Sequence, residues 1–185
     1  MTGSVTLFLG SMKSNKSSAL MDIIDKAKYR KKKCILIRPQ ADTREFVSRK
    51  GDEEVEILIT DKLTNEGIPS KLQNYDIICI DEGQFISDLN YVHFLALKNI
   101  EIYIAALNGD AEMKPWTAIS ETLPFVDKIK RFSGICEDCG TNTSTFSFYT
   151  AIKTEQIVIG NGEYKIYCRE CWQKHYNEKM GIATK

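Results

Sequence analysis

Residues 10–18 read GSMKSNKSS, and they stand between an apolar run at 5–9 and an amphipathic segment. The stretch differs by one residue from the pattern GxxxxGK[ST], because Asn15 stands where the pattern has its second glycine. In such a loop backbone N–H groups surround phosphate oxygens, a lysine reaches the β- and γ-phosphates, and a hydroxyl binds Mg²⁺. The sequence therefore predicts a phosphate-binding loop between a strand and a helix, with Lys16 as the lysine and Ser17 as the hydroxyl.

The whole loop is a candidate ATP-binding segment. Its residues are Gly10, Ser11, Met12, Lys13, Ser14, Asn15, Lys16, Ser17 and Ser18. If the backbone at Asn15 must have a positive φ, asparagine is the least costly replacement for glycine, at roughly 1 kcal/mol. We therefore expect asparagine to be tolerated. The alternative is an ordinary turn from strand to helix with two exposed lysines.

Short apolar runs predict five strands, at 5–9, 34–38, 55–59, 76–80 and 101–107. Most are rich in Ile and Val and alternate little, which is typical of strands buried on both faces. One helix is predicted after the first strand, with Ala19, Leu20, Ile23, Ile24 and Ala27 on a single face, and a second over 85–97. The alternation of strands and helices predicts an α/β fold, with a parallel sheet and helices on both of its faces.

An acidic pair follows the fourth predicted strand, in the sequence DEGQF at 81–85. A carboxylate at the end of an apolar strand is the pattern that holds Mg²⁺ in P-loop enzymes. Asp81 and Glu82 can divide the work, so that one carboxylate would orient the metal and the other would take a proton from an acceptor hydroxyl. The alternative is a polar strand end. The order of loop and acidic pair along the chain favours a site for ATP and Mg²⁺.

The six cysteines fall into two groups. Cys34 and Cys79 stand singly in apolar runs and are interpreted as small buried side chains. The other four form two CxxC pairs, 28 residues apart, and are Cys136, Cys139, Cys168 and Cys171. Two pairs supply four thiolates for one structural Zn²⁺, whereas a redox dithiol, the alternative, needs a single pair in a thioredoxin-like context. Paired cysteines of this kind predict metal and a reducing, cytoplasmic compartment.

Composition argues against several classes of protein. The 25 basic and 25 acidic residues cancel, whereas a protein that coats DNA or RNA usually has a basic excess. No apolar run approaches the roughly 20 residues of a membrane helix, and the first residues lack the basic leader of a signal peptide. We expect a nucleotide-binding domain at 1–131, a zinc-binding domain at 132–176 and a solvated tail at 177–185.

Taken together, the motifs resemble the thymidine kinase family, in its tetrameric, zinc-containing form. The resemblance covers about residues 5–171 and rests on GSMKSNKSSAL, DTR, SRKG, DEGQF, AALNG, KPW, CEDC, VIGNGEY and CREC. DEGQF followed by the paired CxxC motifs is highly specific. The resemblance implies transfer of the γ-phosphoryl group of ATP to the 5′-hydroxyl of thymidine with Mg²⁺, in nucleotide salvage. It also implies a homotetramer inhibited by thymidine triphosphate, a lasso loop in the zinc-ribbon-like domain, and no nucleic-acid or membrane partner.

The resemblance further implies roles for single residues. Those implied as catalytic are Glu82, Lys16 and Arg44, with Glu82 as the general base. Ser17 and Asp81 are implied to hold the Mg²⁺. Those implied to bind the substrate are Met12, Asp42, Phe85, Leu107, Trp116, Val158, Ile159, Gly160 and Tyr164. The last four belong to the lasso loop, in which backbone groups read the edge of the base.

The chain departs from the family pattern at a few positions. Asn15 replaces the loop glycine, Lys13 stands where many members have an aromatic or small residue, and Ala111 stands where an aromatic is expected. The stretch 149–164 is several residues shorter than usual. These differences concern the choice of nucleoside more than the reaction. Two alternatives stay open: a P-loop ATPase or switch, and a zinc-ribbon protein that binds nucleic acid and has an inactive loop.

Overall fold

The computed structural model describes residues 3–42, 55–143, 145–151 and 163–182 of the chain. Six strands form one sheet in the order β3-β2-β4-β5-β1-β6. Their bounds are β1 Ser4–Gly10, β2 Cys34–Arg38, β3 Glu56–Ile59, β4 Ile77–Ile80, β5 Glu101–Leu107 and β6 Lys128–Phe132. β2 pairs in parallel with β3 and β4, and β4 pairs in parallel with β5. The predicted α/β fold is therefore confirmed, and β6 is a strand that the sequence pattern did not indicate.

The centre of the sheet is buried from both sides. Every residue of β4 is at most 1% exposed, and successive side chains of a strand point to opposite faces, so both faces of β4 are covered. Helix α1, Lys16–Tyr29, follows β1 as predicted. It buries Leu20, Ile24 and Ala27, which share one face at the helical spacing. Two shorter helices are α2, Ile68–Leu72, and α4, Thr117–Thr122.

The helix predicted over 85–97 is wrong. The chain there makes 3₁₀ turns at Gly83–Phe85 and Leu89–Tyr91, and only then helix α3, Val92–Ala96. Ile86 is extended between the turns. The carboxylate of Asp88 accepts backbone N–H groups of residues 63 and 64 at 2.7 and 2.9 Å, and a side chain bound to another segment competes with a continuous helix. Phe94 and Leu97, two apolar residues of the predicted helix, are each 57% exposed.

The chain forms two compact units. One contains Met1–Leu9, Lys16–Ala106 and Thr117–Lys130, and the other contains Gly10–Asn15, Leu107–Trp116 and Arg131–Lys185. The second unit thus contains two short segments, Gly10–Asn15 and Leu107–Trp116, as well as the cysteine-rich part. The division into domains at 131 and 176 stays a prediction.

The second unit is built on a hairpin and a helix. Strands β7, Thr145–Tyr149, and β8, Tyr164–Cys168, pair antiparallel, and helix α5, Arg169–Met180, follows directly. Residues 177–180, which the sequence assigned to a solvated tail, form the last turn of α5. There the ammonium group of Lys179 donates hydrogen bonds to the backbone oxygens of Tyr149 and Ala151 at 2.8 and 2.6 Å. The core of this unit consists of Cys136, Phe148, Tyr167, Cys168 and Trp172.

None of the helices in the described ranges has the length and the apolar character that crossing a bilayer requires.

Candidate functional site

The phosphate loop has the backbone conformation on which the tolerance of asparagine depends. Asn15 has a φ of 64°, in the left-handed region that glycine adopts without strain. Lys13 also lies in this region, with a φ of 56°. Gly10 is required for a different reason, because a Cβ atom there would lie 2.5 Å from the backbone oxygen of Phe132 and 2.6 Å from Ser14 Oγ. The loop therefore needs a residue without a side chain at its start and a left-handed residue near its end.

Hydroxyl groups hold the segment Gly10–Asn15 within the second unit. Ser11 Oγ lies 2.6 Å from Thr145 Oγ1, and the backbone N–H of Met12 donates to Ser147 Oγ at 3.2 Å. Ser14 Oγ donates to the backbone oxygen of Ser11 at 2.8 Å. Thr145 and Ser147 are buried in β7, so their hydroxyls serve this loop rather than solvent. Sequence reasoning missed both residues, because nothing in the sequence relates β7 to residues 11 and 12.

The predicted magnesium ligands lie together in the first unit. Lys16 is 6% exposed and opens α1, and Ser17 Oγ donates to Asp81 Oδ1 at 3.0 Å. Asp81 is buried at the end of β4. Mg²⁺ prefers oxygen ligands in an octahedron with radius of about 2.1 Å, in which neighbouring oxygens are about 3 Å apart. The hydroxyl and the carboxylate therefore fit two adjacent positions around one such ion.

Glu82 is held in an unusual backbone conformation next to that carboxylate. Its φ and ψ are 49° and 44°, and its backbone N–H donates to Asp81 Oδ1 at 3.0 Å. The buried side-chain amide of Gln84 donates to Glu82 Oε2 at 2.7 Å. Glycine is needed at position 83, because a Cβ atom there would lie 2.7 Å from Ile104 Cγ2. Left-handed residues with a side chain concentrate at functional sites. Gln84, which the sequence quoted only as part of DEGQF, fixes the direction of the Glu82 carboxylate.

Two further predicted substrate residues lie in the first unit. Asp42 makes an ion pair with Arg38, with Arg38 Nε 3.0 Å from Asp42 Oδ2, and the two side chains are 4% and 7% exposed. Phe85 is half-buried in the 3₁₀ turn after Glu82. Arg44 lies outside the described residues, so its predicted catalytic role stays a prediction.

The other predicted substrate residues belong to the second unit. Met12 and Leu107 are half-buried, and Trp116 is 9% exposed. Tyr164 opens β8, and its ring centre lies 4.9 Å from that of Tyr149. Val158, Ile159 and Gly160 lie outside the described residues. The structure thus brings Met12, Leu107, Trp116 and Tyr164 into one compact unit.

Ala111, where an aromatic was expected, lies in a tight loop of the second unit. Asp110 Oδ1 accepts the backbone N–H groups of Glu112 and Lys114 at 2.8 and 2.9 Å and so closes the loop. Met113, which has a φ of 61°, packs against the apolar core of the unit. Ala111 itself is 7% exposed, so a larger side chain there would have to displace its neighbours.

The four predicted metal ligands are assembled at one point of the second unit. The sulfur atoms of Cys136, Cys139, Cys168 and Cys171 all lie within 4.8 Å of one another. Cys139 Sγ and Cys168 Sγ are 3.8 Å apart, which is the edge of a tetrahedron with Zn–S bonds of about 2.3 Å. Hydrogen bonds with Thr141, and then with Cys136, lower the pKa of the Cys139 thiol to about 6. Burial, and then hydrogen bonds with the other three cysteines, raise the pKa of the Cys171 thiol, so the spacing of the four sulfurs rather than their pKa values supports metal binding. The residues therefore fit a closed tetrahedral Zn²⁺ site.

The parallel sheet, the loop between β1 and α1 and the four-cysteine cluster are features of a class of protein, the P-loop proteins with a cluster that could hold a metal ion. Comparison with known proteins identifies the family. The family model for Thymidine kinase matches residues 3–172, and the chain belongs to the thymidine kinase family, as the motifs indicated.

Relatives share the family description over most of the chain. The chain is 31% identical over 184 residues to the thymidine kinase of Amsacta moorei entomopoxvirus, covering 94% of this chain and 100% of the relative. It is 29% identical over 174 residues to the thymidine kinase of Rabbit fibroma virus (strain Kasza), covering 92% and 96%. Thymidine kinase 1 of Dictyostelium discoideum is 29% identical over 194 residues, covering 99% of this chain and 82% of that protein. Its family places the chain among the kinases.

Proposed function

We propose that this chain transfers the γ-phosphoryl group of ATP to the 5′-hydroxyl of thymidine and so produces thymidine monophosphate. The observation that carries the proposal is the hydrogen bond of 3.0 Å between Ser17, which directly follows the loop lysine, and Asp81, in a chain of the thymidine kinase family. The proposal includes a cytoplasmic salvage enzyme that works as a homotetramer and is inhibited by thymidine triphosphate. These last features follow from the resemblance to the family.

The donor side of the reaction rests on the phosphate loop. Lys16 would neutralise the β- and γ-phosphates, and the backbone N–H groups of the loop would bind their oxygens. Ser17 and Asp81 would hold Mg²⁺, which when bound neutralises the charge that develops on the transferred group. Asn15 would keep the end of the loop left-handed, as the glycine of the pattern does.

The acceptor side rests on Glu82. A 5′-hydroxyl is a poor nucleophile until its proton is removed, and a positioned base is worth about 10²–10⁴ in rate. Glu82 would take this proton, and the amide of Gln84, 2.7 Å from its carboxylate, would keep it oriented. Arg44 would support the reacting phosphates. Met12, Phe85, Leu107 and Trp116 would surround the thymine, and the loop with Val158, Ile159, Gly160 and Tyr164 would read its edge.

The zinc site would have a structural role. All four ligands are cysteines, so the metal would keep no open position for a substrate. Bound zinc would join the segment before β7 to the start of α5, and so hold the hairpin and the helix of the second unit together.

One coupled assay tests the proposed reaction. ATP consumption by the purified protein is measured with and without thymidine, and with and without DNA, next to Lys16→Ala as the inactive control. Consumption that depends on thymidine and is lost in Lys16→Ala supports a kinase. Consumption without thymidine would indicate an ATPase, and stimulation by DNA alone would indicate a protein that acts on nucleic acid.

A further inference from the structure

Glu137 lies between the first two metal-binding cysteines, and its carboxylate contacts the phosphate loop. Glu137 Oε1 accepts a hydrogen bond from Lys13 Nζ at 2.8 Å, and Lys165 Nζ lies 3.0 Å from Oε2. The backbone N–H of Ile166 also donates to Oε1 at 3.3 Å. All of these residues belong to the second unit. The side chain is 25% exposed, so the carboxylate is partly shielded from water.

The backbone of Glu137 is fixed independently of this ion pair. Its N–H donates to the backbone oxygen of Ile166 at 2.9 Å, and its neighbour Cys136 is one of the four clustered sulfur ligands. The position of the carboxylate is therefore set by β8 and by the cysteine cluster. Because no Glu137 atom belongs to the ligand set, the side chain is available for another task.

Lys13 is the loop residue that most needs such a contact. Its φ of 56° is a conformation that residues with a Cβ rarely adopt, and they keep it only where their surroundings impose it. Lys13 Nζ also lies 3.4 Å from the backbone oxygen of Tyr164. The ammonium group, on a side chain that is 49% exposed, is thus held by two acceptors of the second unit at the middle of the phosphate loop.

We propose that Glu137 is a positioning residue for ATP, because it holds Lys13, and with it the phosphate loop, in the conformation that binds the triphosphate. This inference rests on the proposed function, since it takes the loop as the ATP site. The segment Cys136–Cys139 would then support the binding of ATP as well as the stability of the second unit.

A simpler view of Lys13 makes the opposite prediction. If Lys13 only donates its charge to a phosphate, then Glu137 competes with ATP for that charge. Removal of the carboxylate would then tighten ATP binding. If Glu137 holds the loop, its removal weakens ATP binding. The sign of the change in affinity separates the two.

Calorimetric titration of Glu137→Gln with Mg²⁺ and a non-hydrolysable ATP analogue measures that sign. We expect Kd for the analogue and KM for ATP to rise about two- to fivefold, as loss of a partly exposed ion pair allows, while kcat changes less than about twofold. Zinc content should stay at the wild-type value. Glu170→Gln is the matched control, because Glu170 is exposed between Cys168 and Cys171 and its carboxylate makes no hydrogen bond or ion pair with the described residues. It should bind ATP like the wild type.

Two further variants keep the inference testable. Glu137→Asp keeps the charge but withdraws the carboxylate from Lys13, and it should also weaken binding, which covers the case that Glu137→Gln loses zinc. In a Lys13→Met background, Glu137→Gln should cause no further loss. Unchanged or tighter binding by both Glu137 variants would overturn the inference alone. A wild type that does not bind the analogue would overturn the proposed function and the inference with it.

Discussion

Asn15 allows the loop conformation to be tested by its energetic cost. The residue is exposed and has a φ of 64°. A left-handed conformation costs most residues with a Cβ about 1–2 kcal/mol, and for asparagine the cost is at the lower end of this range. Asn15→Gly removes that strain, but it also gives the unfolded chain more conformational entropy, which lowers stability by about 0.4–1 kcal/mol. Because the two effects oppose each other, the free energy of unfolding should change by less than about 0.5 kcal/mol. Asn15→Ala should lose about 1 kcal/mol.

Function should follow the same order. Asn15→Gly should bind the ATP analogue as well as the wild type or slightly better. Asn15→Ala should bind it up to about fivefold more weakly, because a free loop that relaxes from the left-handed conformation must take up about 1 kcal/mol of strain again on binding. Strain that the free loop keeps lowers the free energy of unfolding instead. Urea unfolding, followed by tryptophan fluorescence, and calorimetric titration measure the two quantities.

A second asparagine provides the control for this experiment. Asn99 is also exposed and left-handed, with a φ of 66°, and it lies in the turn before β5. Asn99→Ala should lose the same free energy of unfolding as Asn15→Ala and leave ATP affinity unchanged. The reasoning is refuted if Asn15→Ala equals Asn15→Gly in both stability and affinity, since a left-handed residue would then not be needed in the loop.

Three other predictions follow from the described contacts. Glu82→Gln should lower kcat by about 10²–10⁴ and leave the Kd of the ATP analogue unchanged, and near-normal turnover would mean that another group is the base. Purified protein should contain one Zn²⁺ per chain, and chelation or Cys139→Ser should unfold the second unit in a proteolysis assay; a folded, active sample without zinc would contradict this. Burial, and then the hydrogen bond to Glu101, raise the pKa of Tyr103 to about 12. The unfolded tyrosine ionises near pH 10, so the free energy of unfolding should fall as the pH rises from about 10 to about 12, and Tyr103→Phe should lessen this fall in alkaline unfolding curves.

The interior strands and the edge strand β3 could be predicted from the sequence, whereas the other edge strand, β6, could not. β4 is an unbroken run of apolar residues, because both of its faces are covered. β6 reads KIKRF and is mostly exposed at the edge of the sheet, so its charges hide it from any search for apolar runs. β7 was missed for another reason. Thr145 and Ser147 are buried there because their hydroxyls form hydrogen bonds with the phosphate loop. In the sequence, serine and threonine are typical of exposed loops, so their burial in a strand was not predicted.

The same limit applies to the candidate site. Ser17 and Asp81 were expected together, because motif order and strand ends bring them to one edge of a parallel sheet, and they lie within hydrogen-bond distance. The partner of Lys13 was not expected, because Glu137 is 124 positions away and each residue alone looks like a solvated charge. Local patterns thus predict which residues bear the chemistry, and long-range contacts determine which residues support them.

The last turn of α5 matters for anyone who shortens the protein for expression or crystallisation. The family match ends at residue 172, which suggests a natural place to trim the chain. A polypeptide cut there would lose Lys179, whose two hydrogen bonds to Tyr149 and Ala151 fasten the end of β7 to the helix. Tags and truncations are better placed after Gly181, the left-handed residue that closes α5.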